Sequence, residues 1–205
     1  MACYTRFCSS LERWWLLSSL SAAAPTLVNV IVVAAVFTYM GRAGLLEGRG
    51  LLWPALWPFT LLLNGPLHEA CHALVGRAQG LTVLEFQAWR WSGNYVRFDG
   101  YATRLVLLAP YLRDLAAFAL TAFVLSRLSP RRCGLWMGLF LTGMMLSLWN
   151  TTLEYAGAFV GRSTDVRSLL GLLPPPAVHA FFASVVLGYL ATTALTLRSA
   201  AHRLH

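Results

Sequence analysis

Long uncharged apolar runs constrain this chain more than anything else in it. Residues 23–40 contain no charged side chain and are rich in Val, Leu and Ala. Such a run has nowhere stable to sit except a large core or a hydrocarbon layer about 30 Å thick, which takes about 20 helical residues to cross. Further apolar runs, the first two interrupted by charged residues, follow at 51–78, 105–128, 135–152 and 177–197. In a chain of 205 residues, 58% hydrophobic and 12% charged, they leave too little polar surface for an ordinary soluble domain. The expectation is an α-helical integral membrane protein of about five transmembrane helices, forming a single membrane domain over residues 1–205. The expected setting is a bacterial cytoplasmic membrane, crossed several times, with the lipid bilayer as a partner.

The net charge of +8 does not point to nucleic acid. All 16 basic residues are Arg, and they are scattered rather than gathered on one stripe. Arg at the ends of apolar runs anchors spans. Residues 1–20 carry Arg6, Arg13, Trp14 and Trp15 and read as an interfacial segment lying at headgroup level. Cys3, Cys8, Cys71 and Cys133 form neither a CxxC pair nor a zinc-finger pattern.

One stretch differs from the rest. Residues 81–101, LTVLEFQAWRWSGNYVRFDGY, are aromatic, β-branched and partly alternating, with Ser92-Gly93-Asn94 near the middle. This pattern predicts a β-hairpin. Open strand edges do not face lipid, so the hairpin belongs at the interface or inside protein. Before it, Pro66 is expected to open a new helical section that stops at Gly80. The stretch 153–176 reads as a polar-tinged loop ending in Pro174-Pro175-Pro176.

His68-Glu69-Ala70-Cys71-His72 is an H-E-x-x-H motif within a predicted helix. Residues four apart share a helix face, so both imidazoles can reach one zinc ion at the ~2.0–2.1 Å that Zn–N bonds require. Glu69 is turned about 100° from His68. It sits beside the metal rather than on it, where it can act as general base toward water the metal activates. Five His and five Glu in this length give on the order of 0.003 chance matches, so the motif carries information. Three ionisable groups in five residues of an apolar helix also need a compensating partner, and a metal ion supplies one.

A catalytic zinc usually takes a third protein ligand. The candidates are Asp165, Glu154, Asp114, Asp99, Glu85 and His179. Asp165 is the first choice, because Ser163 can cap a short helix and set Asp165 in its first turn. Glu154 is the alternative metal ligand. Asp114 could accept a hydrogen bond from a ligating histidine, or pair with a neighbouring Arg. Asn150 could donate to an oxyanion, or bond helix to helix.

These features together resemble the site-2 protease superfamily of intramembrane zinc metallopeptidases. The resemblance rests on His68-Glu69-Ala70-Cys71-His72 in a membrane helix, a hairpin-like segment over Gly80–Gly100 directly after it, and Asp165 beyond later spans. It covers roughly Leu61–Leu173. It implies that His68, His72 and Asp165 bind Zn2+, that Glu69 is the catalytic base, and that the hairpin guides an extended substrate. The chain departs from the family pattern after its third ligand, where Val166 stands in place of Gly, and no Pro lies between Asn150 and Asp165. The function implied is a zinc-dependent endopeptidase acting on peptide bonds of membrane-associated proteins. The alternative is a non-catalytic metal-binding membrane protein or scaffold that keeps the same architecture.

Overall fold

A computed structural model describes residues 23–46, 52–88, 94–131, 133–160 and 164–204. The expected interfacial segment 1–20, the tip residues Ser92 and Gly93, and the proposed cap Ser163 lie outside the described residues.

The first helix, α1, spans Ala23–Arg42. Next comes α2 over Leu52–Ala78, and then a two-stranded antiparallel sheet of β1 (Val83–Gln87) and β2 (Tyr95–Phe98). Helix α3 covers Arg104–Arg127. One rod then runs through α4 (Cys133–Leu139), a π-helical stretch (Phe140–Met145) and α5 (Leu146–Phe159). A short α6 (Asp165–Leu172) and a long α7 (Pro175–His202) complete the order. Among the described residues, three helices, α1, α3 and α7, are long and apolar enough to cross a membrane. Their outward faces stay apolar: Leu27, Leu120, Leu187 and Leu195 are all exposed. Surface of this kind calls for an apolar surrounding.

Several boundaries differ from the sequence reading. Pro66 does not start a new helix: it lies inside α2, as does Pro58. A proline removes one hydrogen bond, and the flanking turns carry the helix through. The helix expected to end at residue 152 continues to Phe159, which puts Glu154 on α5 rather than in a loop. Pro175 and Pro176 begin α7 instead of stopping a segment, because the first helical positions need no N–H donor.

The end of α2 is set by Gly80. Its φ of 83° suits glycine, and it lets Leu81 N–H reach the Gly76 carbonyl at 2.9 Å while Gly80 N–H reaches Arg77 at 3.0 Å. The chain turns there directly into the hairpin. Strand register pairs Glu85 with Arg97, Phe86 with Val96 and Gln87 with Tyr95, and a register shift falls between Val83 and Glu85. Asp99 and Thr82 close the hairpin's base through two backbone-linked hydrogen bonds of 3.1 and 3.0 Å.

Two glycines of α2 seat β2. A Cβ on Gly76 would lie 2.4 Å from the Phe98 ring, and one on Gly65 would lie 1.8 Å from the Asn94 amide. Eleven residues is close to three helical turns, so both glycines fall on one face of α2. The strand therefore runs along the face that carries His68, Glu69 and His72.

The core has two parts. The larger joins Met40, Trp57, Phe118, Leu125, the Trp136–Leu148 region and Tyr189. The smaller joins Leu107 and Tyr111 of α3, Val166 and Leu169 of α6, and Val178 and Phe182 of α7. This smaller cluster matters most for the site, because it fixes where α6 begins.

Candidate metal centre

Asp165 is the first residue of α6, and Thr164 caps that helix by accepting a hydrogen bond from Arg167 N–H at 3.2 Å. The cap is thus one residue later than the Ser163 expected from sequence. Val166 and Leu169 are fully buried against α3 and α7. Their burial holds the start of α6 over the motif face of α2.

There the three side chains meet. Asp165 Oδ2 lies 2.8 Å from His68 Nε2 and 2.9 Å from His72 Nε2. Among the described residues, His68, His72 and Asp165 form a group whose donor atoms all lie within 4.8 Å of one another, and it could hold a metal ion. Glu154, the alternative ligand, lies outside this group but lines the same cavity. His179 stands elsewhere, stacked on Phe159 and beside the Tyr155 hydroxyl. Glu85 accepts from Tyr95 on the hairpin, and Asp99 belongs to the hairpin's base.

The hydrogen bonds around the group favour a cation at its centre. His72 Nδ1 lies 2.7 Å from the Val106 carbonyl oxygen, which can only accept. A ring proton is therefore on Nδ1, and Nε2, the nitrogen that carries the lone pair whenever the ring is neutral, faces a carboxylate oxygen 2.9 Å away. Two acceptors at that distance need a proton or a metal ion between them. Burial works against ionisation of Asp165, yet the hydrogen bonds with His68 and His72 prevail and hold its carboxyl far below the usual carboxylate range.

Glu69 is 8% exposed and does not join the donor group. It faces the same cavity of about 680 Å3, and the Val96 backbone N–H is directed at its carboxyl. The cavity wall also includes Asn94, Phe98, Trp149, Leu153 and Thr164.

Asp114 and Asn150 sit behind the histidines. Asp114 does not meet a ligating histidine directly: Arg113 binds one of its oxygens, and Asn150 Nδ2 donates to the other at 2.6 Å. Asn150 also accepts from Asn64 Nδ2 at 3.0 Å, across helices, and its Nδ2 lies 3.4 Å from His68 Nδ1. Arg113 is the neighbouring Arg that the sequence offered Asp114 as a partner. Two participants escaped the sequence reading: Asn64 and the Val106 carbonyl. The first carried a signal, as a polar side chain inside an apolar run. The carbonyl carried none, since every residue has one.

No protein-family model matches the chain, and neither a curated protein nor a solved structure matches it.

Proposed function

We propose that the chain is a five-pass membrane protein of the site-2 protease type, a zinc-dependent endopeptidase that hydrolyses peptide bonds of membrane-associated proteins in a bacterial cytoplasmic membrane. The observation that carries this reading is the meeting of His68, His72 and Asp165 at one point of a cavity that also holds Glu69. Helix α2 and the α4–α5 rod each measure ~40 Å, enough to reach across a hydrocarbon core beside the three more apolar helices.

Two imidazoles and one carboxylate are a donor set suited to zinc, held through His68 Nε2, His72 Nε2 and Asp165 Oδ2. When bound, zinc supplies Lewis acidity, which polarises a peptide carbonyl and acidifies water. The chain's own groups do the rest. The Val106 carbonyl keeps the His72 proton on Nδ1 and leaves Nε2 free to ligate. Glu69 takes a proton at its carboxylate and returns it to the leaving amine. Strand β2 borders the cavity and offers a backbone edge beside Glu69, where an extended peptide can lie by strand addition. A helical segment has its backbone closed by its own hydrogen bonds and must unwind first.

The test is Glu69→Gln in purified, zinc-loaded protein, against a membrane-anchored peptide with an extended tail. The variant should keep its zinc and lose cleavage. Cleavage at the wild-type rate would sink the hydrolytic reading. Cellular function that survives Glu69→Gln but not His68→Ala would mark a non-catalytic metal-binding scaffold.

A further inference from the structure

The side-chain amide of Asn94 stands at the cavity wall and hydrogen-bonds to nothing among the described residues. Asn94 immediately precedes β2 and is half-buried. A polar amide held out of bulk water is a cost unless water or a ligand takes its hydrogen bonds. Its seat on α2 also gives it a direction. A Cβ on Gly65 would meet Nδ2 first, with Cγ at 3.1 Å and Oδ1 farthest at 3.8 Å. The NH2 is therefore turned to the helix, and the carbonyl oxygen stands away from it.

Two contacts fix where this oxygen lies along the site. Asn94, Val96 and Phe98 alternate along the strand and share the face turned to α2. Phe98 rests on Gly76 and Asn94 on Gly65. Four strand residues span ~13 Å and eleven helical residues ~16 Å, so one strand fills both seats with Val96 between them. The Val96 N–H is directed at Glu69, so the backbone groups of Val96 lie on the edge of β2 away from β1. Asn94 is two residues back along that edge, ~7 Å from Val96. On α2, Gly65 comes one helical turn before His68 and Glu69.

We propose that Asn94 is a substrate-binding residue: its Oδ1 accepts a backbone N–H of the extended peptide about two residues from the bond that is cut, and so sets the register in which the peptide lies beside Glu69. This rests on the hydrolytic reading above. A contact to the backbone reads conformation rather than side chains. A helical segment cannot offer that N–H, because its own i−4 carbonyl holds it. Proline has no N–H and is excluded from the substrate position that meets Asn94. The substrate class is thus a segment already unwound on one side of the cut, with a non-proline residue at this one position.

The experiment pairs Asn94→Ala with backbone-ester substrates. A membrane-anchored peptide with an extended, fluorescently labelled tail is made in a series, each member with one peptide N–H near the cut replaced by an ester oxygen. Binding is titrated on zinc-loaded Glu69→Gln protein, with zinc content and thermal midpoint measured alongside. With Asn94 present, an ester about two residues from the cut should weaken binding about 5- to 10-fold, and proline there should do at least the same. Asn94→Ala should weaken the all-amide peptide by a similar factor, and at that position the ester should then cost nothing further. Gly65→Ala, whose methyl displaces the amide, should behave as Asn94→Ala does. Ester effects that are equal at every position with and without Asn94, or loss of zinc in Asn94→Ala, would overturn the proposal. Cleavage by the same Glu69→Gln protein separates the two readings. If it cuts like wild type, the hydrolytic reading falls; if it is inert and no ester position couples to Asn94, only the Asn94 role falls.

Discussion

The imidazole of His72 lies 2.7 Å from the carbonyl oxygen of Val106, and this contact decides which of its nitrogens faces Asp165. Val106 is on the first turn of α3, 34 residues downstream, so the packing of α3 on α2 sets the proton position on His72. The same packing leaves Nε2 of His72 aimed at the Asp165 carboxylate.

Metal content follows directly. Purified protein should carry about one zinc per chain by mass analysis, as a three-ligand site requires. Asp165→Ala, His68→Ala and His72→Ala should each lose it, while Glu154→Ala should keep it. Full zinc in Asp165→Ala would move the third ligand to another carboxylate.

The heightened acidity of Asp165 gives a pH signature in chelator-treated protein. Its folded carboxyl lies well below the ordinary range, whereas the unfolded carboxyl titrates near pH ~3.9. The stabilisation is therefore present above the unfolded value and is lost as pH falls from there toward the folded one. The difference in thermal midpoint between wild type and Asp165→Asn should be present in mildly acid solution, where a proton bridges the carboxylate and the imidazoles, and shrink below about pH 4. A difference that stayed constant well below pH ~4 would contradict the two histidine contacts.

Gly76 offers a test of how the hairpin is seated. In Gly76→Ala the new methyl would meet the Phe98 ring at 2.4 Å, so β2 must lift or the ring must swing. Overpacking of this kind costs about 1–3 kcal/mol. The variant should melt earlier and exchange its β2 amides faster. Adding Phe98→Leu should recover most of the loss. If the single variant were as stable as wild type, β2 would not rest on α2 in solution.

Arg203 ties the far end of the bundle. Its guanidinium donates to the carbonyls of Leu125, Ser126 and Leu128, the last turn of α3. Those carbonyls lack helical partners, and a cation complements the helix dipole there. Arg203→Ala should lower stability by about 1–2 kcal/mol, a shift of a few degrees in a scanning melt. Arg203→Lys should recover part of it.

Local geometry explains what could be read from sequence. The i, i+4 spacing of His68 and His72 needs nothing but a helix, and the Gly80 stop and the strands around Asn94 rest on short-range preferences. The place of Asp165 followed from an N-cap argument that pointed to Ser163; Thr164, the next residue, has the same chemistry and fills the role. What escaped was long-range. Asn64 and Asn150 are 86 residues apart, and their bond follows only from helix packing. Glu154 and the Pro66 region were misjudged for a related reason: an apolar run interrupted by polar or proline residues looks broken in sequence, yet packing and flanking turns keep it helical. The π-helical stretch Phe140–Met145 gave no sign in the residues themselves.

The three candidate metal ligands reach the site on two pieces of chain that are synthesised far apart. A nascent polypeptide that has produced only α2 owns two imidazoles and no partner carboxylate from α6. Asp165 arrives later, and Val178 and Phe182, which help seat α6, later still. The three donors thus come together only once most of the bundle is assembled, and any ion that the group holds is captured late in folding.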